Sequence, residues 1–93
     1  MDLQQIRQEI DTVDKELVSL LEKRMFLVEE VTHYKKNKKL PVLDINRERQ
    51  VLRRVSSYIV NKKFDKAILS SMASILEVSR DYQNQKMEEG FDD

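Results

Sequence analysis

The sequence predicts an all-α fold of three helices, one long and two shorter, and two observations carry that prediction. The chain contains one Gly and one Pro, too few turn formers for the hairpins and tight connections that sheets require. From Leu3 onward, the first and fourth places of successive heptads read Leu3, Ile6, Ile10, Val13, Leu17, Leu20, Arg24, Leu27, Val31 and Tyr34. All but Arg24 are apolar or aromatic, the mark of one continuous helix with a narrow buried seam.

The first helix is predicted over about residues 3–36, since nothing interrupts the repeat before Pro41. At ~1.5 Å per residue it makes a rod of ~50 Å. A compact globule of this length is only ~30 Å across, so the rod overshoots its own domain and the excess seam calls for a partner chain. Arg24 is costly in that seam unless an anion meets it. Residues 37–43 read as a polar, basic loop in which Pro41 excludes helix. Asp44 is positioned to cap a second helix over about 44–61, whose apolar stripe is Val51, Leu52, Val55, Tyr58 and Ile59. One turn back from the stripe stand Arg47 and Glu48, pointing inward at the helix entrance.

After a short link, Asp65 is the expected cap of a third helix over about 65–86. Its apolar side carries Ile68, Leu69, Met72, Ile75 and Leu76. Two turns further on, that side reaches Ser79 and Gln83 and turns polar. Residues 87–93 read as a polar, frayed tail. The whole of 1–93 makes a single small domain.

Charge and composition exclude several classes of function. Lys plus Arg and Asp plus Glu both total 17, so the net charge is zero, and the bulk field favours neither nucleic acid nor an acidic membrane as partner. There is no cysteine and only one histidine, His33, so neither a thiolate nor a histidine metal site can be built and no cofactor is expected. No signal-peptide core is visible and no apolar run nears the roughly 18 residues of a membrane span. A soluble, cytoplasmic protein is expected.

Polar groups thus break the apolar faces at Arg24, at Arg47 with Glu48, and at Ser79 with Gln83, which points to one shared pocket. Lys35 joins them. It lies 11 residues past Arg24, ~20° off the same line and ~16 Å along it, so the two long side chains can bracket a metabolite-sized ligand. Arg7 lies 17 residues before Arg24, ~25 Å away. Only an antiparallel second copy can bring it to the same ligand.

These residues carry a resemblance. Pro41-Val42-Leu43-Asp44-Ile45-Asn46-Arg47-Glu48-Arg49 is similar to the Pro-Val-x-Asp-x-x-Arg-Glu signature of the chorismate mutases of the all-helical AroQ class. Ile6-Arg7, Asp14, Leu20-Leu21-x-x-Arg24 and Lys35 fall in register with that family's first helix, and Ser79 and Gln83 occupy its Ser-x-x-x-Gln positions. The resemblance runs from Leu3 to about Gln83. Tyr34 and Asn46 stand where relatives often carry small and acidic residues, outside the implied contacts.

The resemblance implies an intertwined homodimeric helical bundle with two equivalent pockets. It also implies an isomerase that converts chorismate to prephenate in phenylalanine and tyrosine biosynthesis, and it admits association with another shikimate-pathway enzyme. By the same analogy Arg24, and Arg7 from the other subunit, grip carboxylates with Ser79 and Arg47 assisting. Lys35 and Gln83 reach the ether oxygen, and Glu48 with the backbone of Asp44 fixes the ring hydroxyl. Lys35, Gln83, Arg24 and Glu48 are the implied catalytic set.

Each residue also has a structural reading. Arg24 alone would set coiled-coil register, Glu48 would favour the helix dipole, Asp44 would simply cap, and Arg7 would be a surface residue. Ser79, Gln83 and Lys35 could each face water, and Arg80 reads as exposed. Two other functions compete: an isochorismate-pyruvate lyase on the same scaffold, and a non-catalytic helical dimerisation or adaptor module.

Overall fold

A computed structural model describes residues 1–89 of the chain. Among these the fold is all-helical: α1 spans Leu3–Lys38, α2 spans Ile45–Tyr58, a 3₁₀ turn spans Lys62–Phe64, and α3 spans Asp65–Glu89. Among the described residues no helix is long and apolar enough to cross a membrane.

Local chemistry sets the ends of each element. Asp2 starts α1 with a reciprocal cap, its carboxylate accepting from the Gln5 amide at 2.9 Å while the Gln5 side chain accepts from the Asp2 amide at 3.0 Å. α1 continues to Lys38, two residues past the predicted end. Lys35, Lys36 and Lys38 in its last turn suit the negative end of the helix dipole. The helix stops where Lys39 turns left-handed at φ 56°, and the Leu40 amide folds back onto the Lys35 carbonyl at 2.8 Å.

Asp44 caps α2 from outside it, accepting from the Arg47 amide at 3.0 Å. That helix ends at Tyr58 rather than near residue 61, because Ile59 turns extended (φ −73°, ψ 116°) and buries its side chain. Asp65 does not cap α3 but is its first residue. Asn61 provides the cap upstream, on the 3₁₀ turn, accepting from the Lys63 amide at 3.2 Å. α3 runs on to Glu89, so the first residues of the predicted 87–93 tail are helical and its remainder lies outside the described residues.

α3 packs against both other helices, whereas α1 and α2 make no close backbone approach to each other. A cleft is left between α1 and α2 with α3 as its floor. α1 meets α3 through a stripe beside its heptad seam: Leu21, Met25, Val28 and Lys35 are half-buried and Thr32 is fully buried. The seam itself stays open, with Leu3, Ile6, Ile10, Val13, Leu17, Leu20, Leu27, Val31 and Tyr34 all exposed. The only buried apolar side chains among the described residues are Ile59 and Leu76.

The result is a thin slab of 53 × 30 × 15 Å with a radius of gyration of 16.3 Å, against about 12 Å for a compact chain of this length. Its accessible surface is 7749 Å², where a folded monomer of this mass shows about 5,700 Å². In the single chain the seam that its sequence encodes is left uncovered.

Candidate active site

The cleft has a volume of about 280 Å³, and it gathers Arg24 and Lys35 from α1, Val42 and Asp44 from the connection, Arg47 and Glu48 from α2, and Ser79, Arg80 and Gln83 from α3. Every site residue predicted from the sequence lines it except Arg7, which lies exposed elsewhere on α1. Apolar walls come from Leu27, Val28, Val31, Val51 and Leu76.

Two cross-helix contacts tie α1 to α3. The Arg24 guanidinium donates to Ser79 Oγ at 2.6 Å, and the Ser79 hydroxyl in turn donates to the Ile75 carbonyl at 2.9 Å. Ser79 can therefore present its lone pairs to the guanidinium, and it is only 5% exposed. Lys35 Nζ donates to Gln83 Oε1 at 3.3 Å and to the Val42 carbonyl at 2.7 Å. With its oxygen turned to the ammonium, Gln83 has its amide NH₂ left to donate elsewhere.

Lys35 thus reads its position from both α3 and the connection. The left-handed turn at Lys39 reverses the chain so that Val42 comes back over the last turns of α1. On α2, the cap by Asp44 fixes the first turn, so Glu48 faces the cleft half-buried while Arg47 remains exposed at its rim. Arg47 Nη1 donates to Gln50 Oε1 at 2.7 Å, along its own helix.

The electrostatics favour an anionic ligand. The charged groups lining the cleft are Arg24, Lys35, Arg47 and Arg80 against Asp44 and Glu48. Burial first, and the nearby Arg47 guanidinium second, push Arg24 below the ordinary arginine range. Both effects describe a cation held partly out of water beside another cation, which an incoming carboxylate would relieve. Among the described residues no group of His, Cys, Asp or Glu is arranged to hold a metal ion.

Arg80 departs from the expectation that it is exposed. It is half-buried, lines the cleft and forms an ion pair with Glu48, Nη1 donating to Oε1. The signal was available, because Arg80 follows the buried Leu76 by four residues and so lies on the same face of α3. The Val42 carbonyl had no such signal, since a backbone acceptor is the same for every residue type.

Such a site can hold a flexible dicarboxylate in one shape, donate hydrogen bonds from Lys35 and Gln83 toward a developing negative charge, and accept a hydroxyl at Glu48. Its one hydroxyl, on Ser79, is bonded to the Arg24 guanidinium and the Ile75 carbonyl rather than to a base. A search of curated proteins finds no match, and neither does a search of solved structures. Comparison with protein families matches chorismate mutase type II over residues 6–84. That match takes in every residue of the cleft and most of all three helices, and the chain therefore belongs to the chorismate mutase type II family, the all-helical AroQ class.

Proposed function

We propose that this chain is itself a chorismate mutase, catalysing the rearrangement of chorismate to prephenate on the route to phenylalanine and tyrosine. The observation that carries the reading is the pairing of Lys35 with Gln83 beside the pairing of Arg24 with Ser79, in one cationic cleft. In the reaction the ether carbon–oxygen bond breaks as a carbon–carbon bond forms, in one concerted step, with no proton transfer. Catalysis is then a matter of restraint and charge. Arg24, with Ser79 and Arg47, grips a carboxylate and holds the substrate in its compact diaxial shape. Lys35 and the Gln83 amide donate to the ether oxygen, where negative charge grows in the transition state. Glu48 and the backbone at Asp44 fix the ring hydroxyl.

The working unit is an intertwined homodimer. The open heptad seam of α1 pairs with that of a second copy, and antiparallel pairing brings Arg7 of the partner subunit to the substrate. The exposed seam and the surplus accessible surface support this assembly.

The test is an assay of the purified chain with chorismate and with isochorismate, following prephenate and pyruvate. Prephenate from chorismate is the expected result, and Arg24→Ala or Lys35→Ala should lower kcat/KM by about 10²–10³-fold without loss of helix content. Pyruvate from isochorismate with no prephenate from chorismate would replace the mutase by a lyase, and no turnover of either substrate would leave a dimerisation module.

A further inference from the structure

We infer that Arg80 is a positioning residue, which holds the Glu48 carboxylate by one oxygen so that its other oxygen stands ready for the substrate's ring hydroxyl. The inference rests on the mutase reading above and adds to it a residue outside the implied catalytic set.

Glu48 sits in the first turn of α2, on a side chain with three rotatable bonds. Left alone it would have two competing fates. It could swing into water, losing rotamer freedom again each time a substrate bound. It could also collapse onto Arg47 or Arg24 and neutralise the cations that must meet the substrate. Arg80 prevents both. Its Nη1 engages Glu48 Oε1 across the α2–α3 contact, both groups are half-buried, and both line the cleft. Arg80 follows Ser79 directly on α3, and Ser79 is itself fixed by Arg24 and the Ile75 carbonyl. The anchor is therefore next to a residue that is itself held from two sides.

The pair also settles the local charge. Arg80 balances Glu48, so the carboxylate does not cancel the field of Arg24, Lys35 and Arg47 at the place where a dianion must bind. The hydrogen bond it donates to Glu48, foremost among several influences, raises the Arg80 guanidinium above its ordinary range, so it stays a cation at any working pH.

An acceptor positioned for a hydroxyl matters only to substrates that carry one. The test compares the parent chain with Arg80→Met on chorismate and on an analogue that keeps the enolpyruvyl ether and both carboxylates but lacks the ring hydroxyl. The expected result is a kcat/KM lowered about tenfold or more on chorismate and less than about twofold on the analogue. The ratio of the two substrates within one preparation cancels any difference in the folded fraction. Arg80→Lys, which keeps one cationic donor, should recover part of the selective loss. In a Glu48→Gln background Arg80→Met should add little.

Equal losses on both substrates would overturn the inference and make the ion pair a tie between α2 and α3. An unchanged rate on chorismate would overturn it as well. A parent chain that leaves chorismate untouched would overturn the mutase reading and this inference together, an outcome distinct from an active parent with no selective loss.

Discussion

Gln83 shows how much one side chain's chemistry decides. Its amide oxygen is turned to Lys35, and a neutral amide donates through its nitrogen at any ordinary pH. Gln83→Glu puts a carboxyl in its place, and that group donates only when protonated. The variant's kcat/KM should therefore rise as pH falls and its optimum should move to the acid side of the parent's, as read from a pH–rate profile. An unchanged profile would remove Gln83 from the ether oxygen. The residues at this scale were legible in proportion to the side-chain signal they carry. Lys35 and Arg24 could be assigned to one pocket by helix arithmetic alone, and the shared cleft agrees. Arg80 obeys the same arithmetic, yet an arginine is so common on exposed helix faces that its spacing from Leu76 does not by itself distinguish it. The second site for Lys35, on the Val42 carbonyl, is invisible to any reading of side chains.

At the scale of the element, α1 carries two stripes. The heptad seam is the one that periodicity brings out, and it is the one that stays exposed. The stripe that packs on α3, through Leu21, Met25, Val28, Thr32 and Lys35, has the same helical spacing, but Thr32 and Lys35 dilute its apolar character. Helix boundaries were legible where a cap residue marks them, as at Asp44. They are not legible where burial of one residue decides, as when Ile59 leaves α2. A further tie between α1 and α3 is the Tyr82 hydroxyl donating to Glu29 Oε2 at 2.6 Å. That hydrogen bond first, then burial and the Glu29 charge, raise the phenol above its ordinary value of 10.0.

A raised phenol contributes stability that is fully present below its unfolded value and is lost as pH rises through the folded one. Tyr82→Phe should therefore cost about 1 kcal/mol or less near neutrality. Its difference from the parent in urea unfolding should shrink above about pH 10, where the phenol ionises in the unfolded parent while the folded chain still holds its proton. A gap that stays constant to higher pH would deny the bond its role.

At the scale of the molecule, the slab's proportions were already implied by a ~50 Å rod in a 93-residue chain. The three-helix fold, strandless among the described residues, followed from the scarcity of Gly and Pro. What the sequence could not specify was which helix would lie in the middle, because amphipathic faces tell how much surface seeks cover and not which neighbour supplies it. α3 holds that place. If the partner subunit completes each pocket with its Arg7, two crippled chains should repair one another. Arg7→Ala and Lys35→Ala, each nearly inactive alone, should recover about a quarter of the parental activity when unfolded together and refolded as an equimolar mixture. Half of the dimers are then mixed, and each mixed dimer has one intact site. A mixture no better than its components would show that Arg7 does not act across the interface.

The bond from Lys35 to the Val42 carbonyl has a consequence for how this site can vary. No side-chain replacement at position 42 removes a main-chain oxygen, so an alanine scan through the connection would pass over it in silence. The number of residues between the left-handed turn at Lys39 and the cap at Asp44 is what sets where that oxygen lands. For this contact, insertion and deletion are the informative mutations, and chain length acts as a ruler for the ammonium group.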